Sequence, residues 1–178
     1  MPAMPAMSRS ICVLVLAGLA ACASAPEPAS PQRPSLATET PEQMVASIRA
    51  SAGDGEGELA VQPLRDPMVE DLREEAQRLE AQRRHADAGA ALDRAIEIVP
   101  DDPALLQERA EVALLEGDPA IAGALAERAH SLGAQVGPLC RRHWATIEKV
   151  RLLAADAAGA ADAKARIEAC KLAPPPRY

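Results

Sequence analysis

The sequence contains no phenylalanine, one tryptophan (Trp144) and one tyrosine (Tyr178). That scarcity weighs against a β-sandwich or barrel, whose pleated surfaces are filled by aromatic and β-branched side chains. A basic excess is also missing: the formal charge is −7, which argues against nucleic acid as a partner, because phosphate binding needs a basic face. No apolar run reaches the roughly 20 residues that a spanning helix requires. No Ser–His–Asp spacing, glycine-rich phosphate loop or paired-carboxylate motif stands out. The expectation is therefore a chain without catalytic residues, cofactor or bound metal.

What is abundant is small and apolar. Apolar residues make up 48% of the 178, with alanine dominant, and small side chains let helix axes approach closely. This composition predicts an all-α domain, and the length leaves room for one such domain plus tails.

The N-terminal segment is a targeting signal. Arg9 is the only charge before Glu27, and it precedes an apolar run from Ile11 to Ala21. A positive start, a short apolar stretch and small residues at its end describe a secretory signal peptide over residues 1–21. The four residues Leu19-Ala20-Ala21-Cys22, directly at the end of that run, resemble the lipobox of bacterial lipoproteins. The resemblance implies that Cys22 becomes the lipid-modified first residue of the mature chain. It also implies that Ala23, rather than an aspartate, directs the protein to the outer membrane, with its domain in the periplasm. Ser24 to Pro34 is rich in Pro, Ala and Ser, as a disordered tether from a membrane would be.

Residues 22–65 read as a largely disordered linker. One short helix within it, over 41–50, stands as an alternative to full disorder. Thr40-Pro41-Glu42-Gln43 has a cap, a first-position proline and the partner of a capping box. Met44, Val45 and Ile48 would share one face of that helix, and Leu59 to Leu64 reads as extended. Asp66-Pro67 then opens an ordered domain over 66–172, and 173–178 is a Pro-rich tail.

Within the domain, Asp-Pro recurs at Asp102-Pro103 and Asp118-Pro119, each pairing an N-cap acceptor with a residue that needs no amide donor. Helix stops fall at Pro100-Asp101, Gly117 and Gly133. Five or six helices of about 13 to 18 residues follow, with loops short enough to force antiparallel neighbours. The chain also repeats itself every 34 residues: Leu72, Leu106 and Cys140; Ala76, Ala110 and Trp144; Leu92, Ala126 and Ala160; Ala95, Ala129 and Ala163. In the same register Asp156 stands where Ala88 and Ala122 stand.

This period, with small residues at helix crossings and Pro100 closing a unit, resembles the tetratricopeptide repeat over about Val69 to Lys171. The resemblance implies a short solenoid of about three antiparallel helix pairs, the third altered as a cap. It further implies a concave groove for a protein partner, lined by Arg73, Gln77 and Glu80, then Gln107 and Glu111, then Arg141, Glu148 and Lys149. A membrane-tethered scaffold that helps assemble or organise an envelope complex is the function this points to.

Cys140 begins the first helix of the third pair and Cys170 ends the second, so an antiparallel hairpin sets them side by side. In an oxidising compartment they are expected to form a disulfide. An alternative groups Cys140, His143 and Cys170 as three zinc ligands of a thiol- or metal-dependent enzyme accessory. Charge is uneven: residues 22–127 hold nine Lys/Arg and 22 Asp/Glu, whereas 128–178 hold nine and four. Arg141, Arg142, Lys149 and Arg151 surround Trp144 on one predicted helix. Three readings stand for that cluster: a contact for an acidic peptide or anionic lipid, self-association with the acidic half of another copy, or solvated charges around a core tryptophan.

Overall fold

The computed structural model describes residues 39–53 and 66–171. The leader 1–21, Cys22, the stretch 59–64 and the tail 173–178 lie outside the described residues. The described chain is all-α, with no strand. Its helices are α1 (Pro41–Ala50), α2 (Pro67–Ala81), α3 (His85–Ile98), α4 (Pro103–Glu116), α5 (Pro119–Leu132), α6 (Pro138–Leu153) and α7 (Ala157–Ala169). Helices α2/α3, α4/α5 and α6/α7 form three antiparallel pairs stacked as a tetratricopeptide-like solenoid.

The helix starts are set by local chemistry. Asp66 accepts from the Met68 amide, Asp102 from those of Ala104 and Leu105, and Asp118 from that of Ile121, each with proline following. At α1, Thr40 Oγ1 accepts from the Gln43 amide while Gln43 Oε1 accepts from the Thr40 amide, completing the reciprocal box.

The turn inside each pair closes in the same way, by an amide reaching back five residues. Arg84 donates to Leu79, Asp118 to Ala113 and Asp156 to Arg151, at 2.8–2.9 Å. The preceding residue is left-handed in every case: Arg83 (φ 59°), Gly117 (φ 82°) and Ala155 (φ 58°). Only glycine takes this conformation without a Cβ penalty. Replacing Ala155 by glycine is therefore expected to stabilise the domain by about 1 kcal/mol, measured as a higher urea midpoint at unchanged slope.

Burial follows the 34-residue register at Leu92, Ala126 and Ala160, at Ala95, Ala129 and Ala163, and at Leu106 and Cys140. It breaks at Asp156, which is not a helical small residue but the N-cap of α7. The reason is length: α6 runs 16 residues against 14 for α4, so the third pair turns later. Three apolar clusters fill the stack. Val69, Leu79, Leu92, Leu105 and Val112 join α2, α3 and α4; Ala110, Ala126, Ile147 and Ala163 join α4 to α7. In the second cluster Val45 and Ile48 of α1 meet Ala113, Leu114, Ala122 and Ala145.

Candidate functional site: the groove and the helix lying in it

Helix α1 packs against α4 and α6, the first helices of the second and third pairs. It buries Met44, Val45 and Ile48 there. Its two ends define its direction. Lys149 Nζ binds the Glu39 carboxylate at 2.8 Å just before the helix, and Arg141 donates to the carbonyls of Ser51 and Ala52 just after it. Lys149 lies late in α6 and Arg141 early, so α1 runs antiparallel to α6. A guanidinium at the carbonyl end of a helix meets its negative pole.

Arg49 is the central contact. Its two terminal nitrogens bind both oxygens of Glu80 at 2.7 and 2.9 Å, and its Nε binds Glu111 Oε2 at 2.8 Å. Hydrogen bonding to Glu80, reinforced by the nearby Glu111 charge, raises the Arg49 pKa. Glu111 is fully buried, and its other oxygen accepts from Arg142 and from Gln107 Nε2. A buried carboxylate persists only when paired in this way.

The network runs deeper. Gln107 Nε2 also donates to Thr146 Oγ1 at 2.8 Å, and Thr146 donates to the Arg142 carbonyl. With both amide hydrogens committed, Gln107 Oε1 must accept from His143 Nδ1 at 2.8 Å. His143 is thus the Nδ1–H tautomer, and its buried Nε2 has no partner among the described residues. Burial, together with the nearby His130 and Arg142, pushes its pKa down to about 3.

Of the residues expected to line a groove, Glu80, Glu111, Arg141 and Lys149 all bind α1 or its flanks, and Gln107 is buried beneath Glu111. Glu148 is half-buried, and burial raises its pKa against the opposing charges of Lys149 and Lys164. Arg73 and Gln77 instead face a cavity of about 560 Å³ beside α1, whose lining also includes Glu80, Glu108, Val112 and Arg142. Arg73 is held there by Glu70 and Glu108. The sequence reading missed Arg49, Glu108 and Arg142 as parts of this surface. Two of them left a trace: Arg49 as the charge that directly follows the apolar set of α1, and Arg142 as a member of the basic cluster around Trp144.

These contacts account for the members of the basic cluster. Arg141 and Lys149 hold α1, Arg142 holds Glu111, and Arg151 binds the Gly159 carbonyl at 2.9 Å. Trp144 is half-buried, with the His130 ring edge-on at 4.7 Å and the Arg166 guanidinium 4.7 Å from its ring. Cys140 and Cys170 are disulfide-bonded with Cα atoms 5.8 Å apart. That bond occupies both sulfurs of the proposed zinc set, and no group of three or more potential metal ligands occurs among the described residues.

No family model matches the sequence, and the comparison with curated proteins found no match. Among solved structures, the globular C-terminal domain of LpoP from P. aeruginosa matches with a TM-score of 0.56 and 31% identity. The match covers 59% of this chain and 99% of that one. Nearly the whole of the solved domain is thus accounted for by this sequence at substantial identity, and the helical part of the chain belongs to the family of the LpoP C-terminal domain.

Proposed function

We propose that the mature protein is an outer-membrane lipoprotein, anchored through Cys22, whose helical domain binds another protein in the periplasm and helps organise an envelope complex. The observation that carries this is the groove. It is a concave surface of mixed charge, part filled by a helix and part open as the 560 Å³ cavity. Helix-in-groove recognition is a recurring way for one protein to hold another, and paired charges of both signs favour selectivity over raw affinity. The likeness to a globular C-terminal domain supports a folded helical domain that follows an N-terminal tether.

Crosslinking in intact cells, followed by purification of the tagged full chain, tests the reading. A protein partner is expected, and Gln77→Arg, which projects a charge into the open cavity from an exposed position, is expected to cut its recovery about tenfold while leaving helicity unchanged. Undiminished recovery from the variant, or no captured protein at all, would count against the groove as the docking surface. Cys22→Ser is expected to move the protein from the membrane to the soluble fraction; continued membrane retention would refute the anchor.

A further inference from the structure

We infer that α1 is an internal stand-in for the partner, and that the groove takes an amphipathic helix of matching chemistry by exchange with α1. This deepens the proposed protein-binding role and rests on it.

The groove reads α1 by three features. A slot over α4, α5 and α6 accepts apolar side chains at the spacing of Met44, Val45 and Ile48. An acidic side formed by Glu80 and Glu111 takes the arginine that follows. A basic side takes the two ends, with Lys149 on a carboxylate ahead of the helix and Arg141 on its terminal carbonyls. Each feature is a recognition device used between proteins, and together they specify a ligand: an acidic residue, then a short helix with apolar side chains at i, i+1 and i+4 and arginine at i+5. The occupant is therefore a helix of that pattern on another protein.

The construction of α1 favours exchange. Ten residues are too few for a helix to hold its shape in water unaided, so α1 exists only while the groove supports it. It is held by three buried apolar side chains packed chiefly on α4 and α6, and an element with so small a packed face opens at lower free energy than the core. When α1 leaves, Glu111 keeps Arg142 and Gln107, so the three pairs retain a paired carboxylate. The acidic side then has Glu80 and one Glu111 oxygen ready for an incoming guanidinium. The cavity lined by Gln77, Glu80 and Arg142 adjoins Arg49 and Ala52, which gives an incoming helix a first foothold.

The test uses the mature chain carrying Cys22→Ser and a labelled peptide of residues 39–53, read by fluorescence anisotropy. A chain with Ile48→Ser and Arg49→Glu, whose own α1 is loosened, is expected to bind the peptide at least tenfold more tightly than the unaltered chain. A peptide bearing Arg49→Glu is expected to lose that binding. Equal affinity for both chains, or no binding to a loosened chain that keeps its helicity, would overturn the inference. Hydrogen exchange on the unaltered chain is the second measurement. Amides of 44–50 are expected to exchange at least tenfold faster than those of 106–114, and equal protection would make α1 a permanent part of the core and refute exchange. A concentration-dependent dimer that the peptide dissolves would make the occupant the α1 of a second copy and overturn the assignment to another protein. Because no envelope partner is needed, peptide exchange with no cellular capture would defeat the proposed function alone.

Discussion

Breaking the Cys140–Cys170 disulfide is expected to cost the domain roughly 3–4 kcal/mol, the loop-closure entropy of a crosslink across 30 residues. For a domain of this size that is a fall in Tm of about 10–15 °C. The size of the effect depends on what else holds α7. That helix buries only Ala160 and Ala163, each worth little by area. The bond ties Cys170, at the end of α7, to Cys140 at the start of α6, where the Gly137 amide also donates to the Cys170 carbonyl at 2.7 Å. Reduction should therefore loosen α7 before the rest. Thermal unfolding of the Cys140→Ser/Cys170→Ser variant, with hydrogen exchange read helix by helix, checks both points. An unchanged Tm would show that the pair closes on packing alone, and uniform loss of protection across α2 to α7 would show that the solenoid unfolds as one unit.

The parts of this fold legible in the sequence are those controlled by neighbours along the chain. Asp-Pro starts announce themselves because the cap acceptor and the proline lie side by side. The disulfide was readable because an antiparallel hairpin has only one way to bring its two ends together. Two of the three intra-pair turns were not, because Arg83 and Ala155 occupy a left-handed position at which glycine is the usual signal. Only Gly117 gave it. Reading Asp156 as a helical position followed from the same gap, since nothing in the sequence marks the longer α6. The groove was legible as a face and illegible as a surface. Helical register puts Gln107, Glu111, Arg141 and Lys149 on that face, but which of them meet water depends on a helix more than 50 residues away in sequence. Likewise Thr40 to Gln43 told that α1 forms, while its destination depends on Glu80 and Glu111, whose carboxylates look like any others on a helix.

The buried network predicts an acid limb. With its ring buried beside His130 and Arg142, His143 has a pKa held down to about 3 against the ordinary 6.5, so the folded state favours the neutral ring. Between those two values the unfolded chain binds a proton that the folded chain refuses. The stability His143 contributes is complete above about pH 6.5 and is lost progressively as pH falls towards 3, by about 5 kcal/mol in all. His130 adds to this with the same sign, since burial and then Arg166 lower its pKa as well. Protonation of His143 would also place a second donor at its Nε2, which has no acceptor to meet among the described residues, while Nδ1 remains committed to Gln107. Urea unfolding from pH 7.5 to 4 checks the slope. In His143→Asn, whose amide nitrogen occupies the place of Nδ1, a side-chain amide takes over the bond to Gln107, and no ring remains to titrate. That variant is expected to lose about 1–2 kcal/mol at pH 7.5 through imperfect packing, yet to hold its remaining stability much further down in pH. A variant with the same acid limb as the natural chain would move the responsible group elsewhere, with His130 against Trp144 the next to replace. The outcome also bears on the groove, because Gln107 joins His143 to Glu111 and Glu111 holds Arg49. Protonating the ring is expected to loosen α1 at a higher pH than it unfolds the three pairs. Amide exchange of 44–50 followed against that of 106–114 across the same range would show the separation.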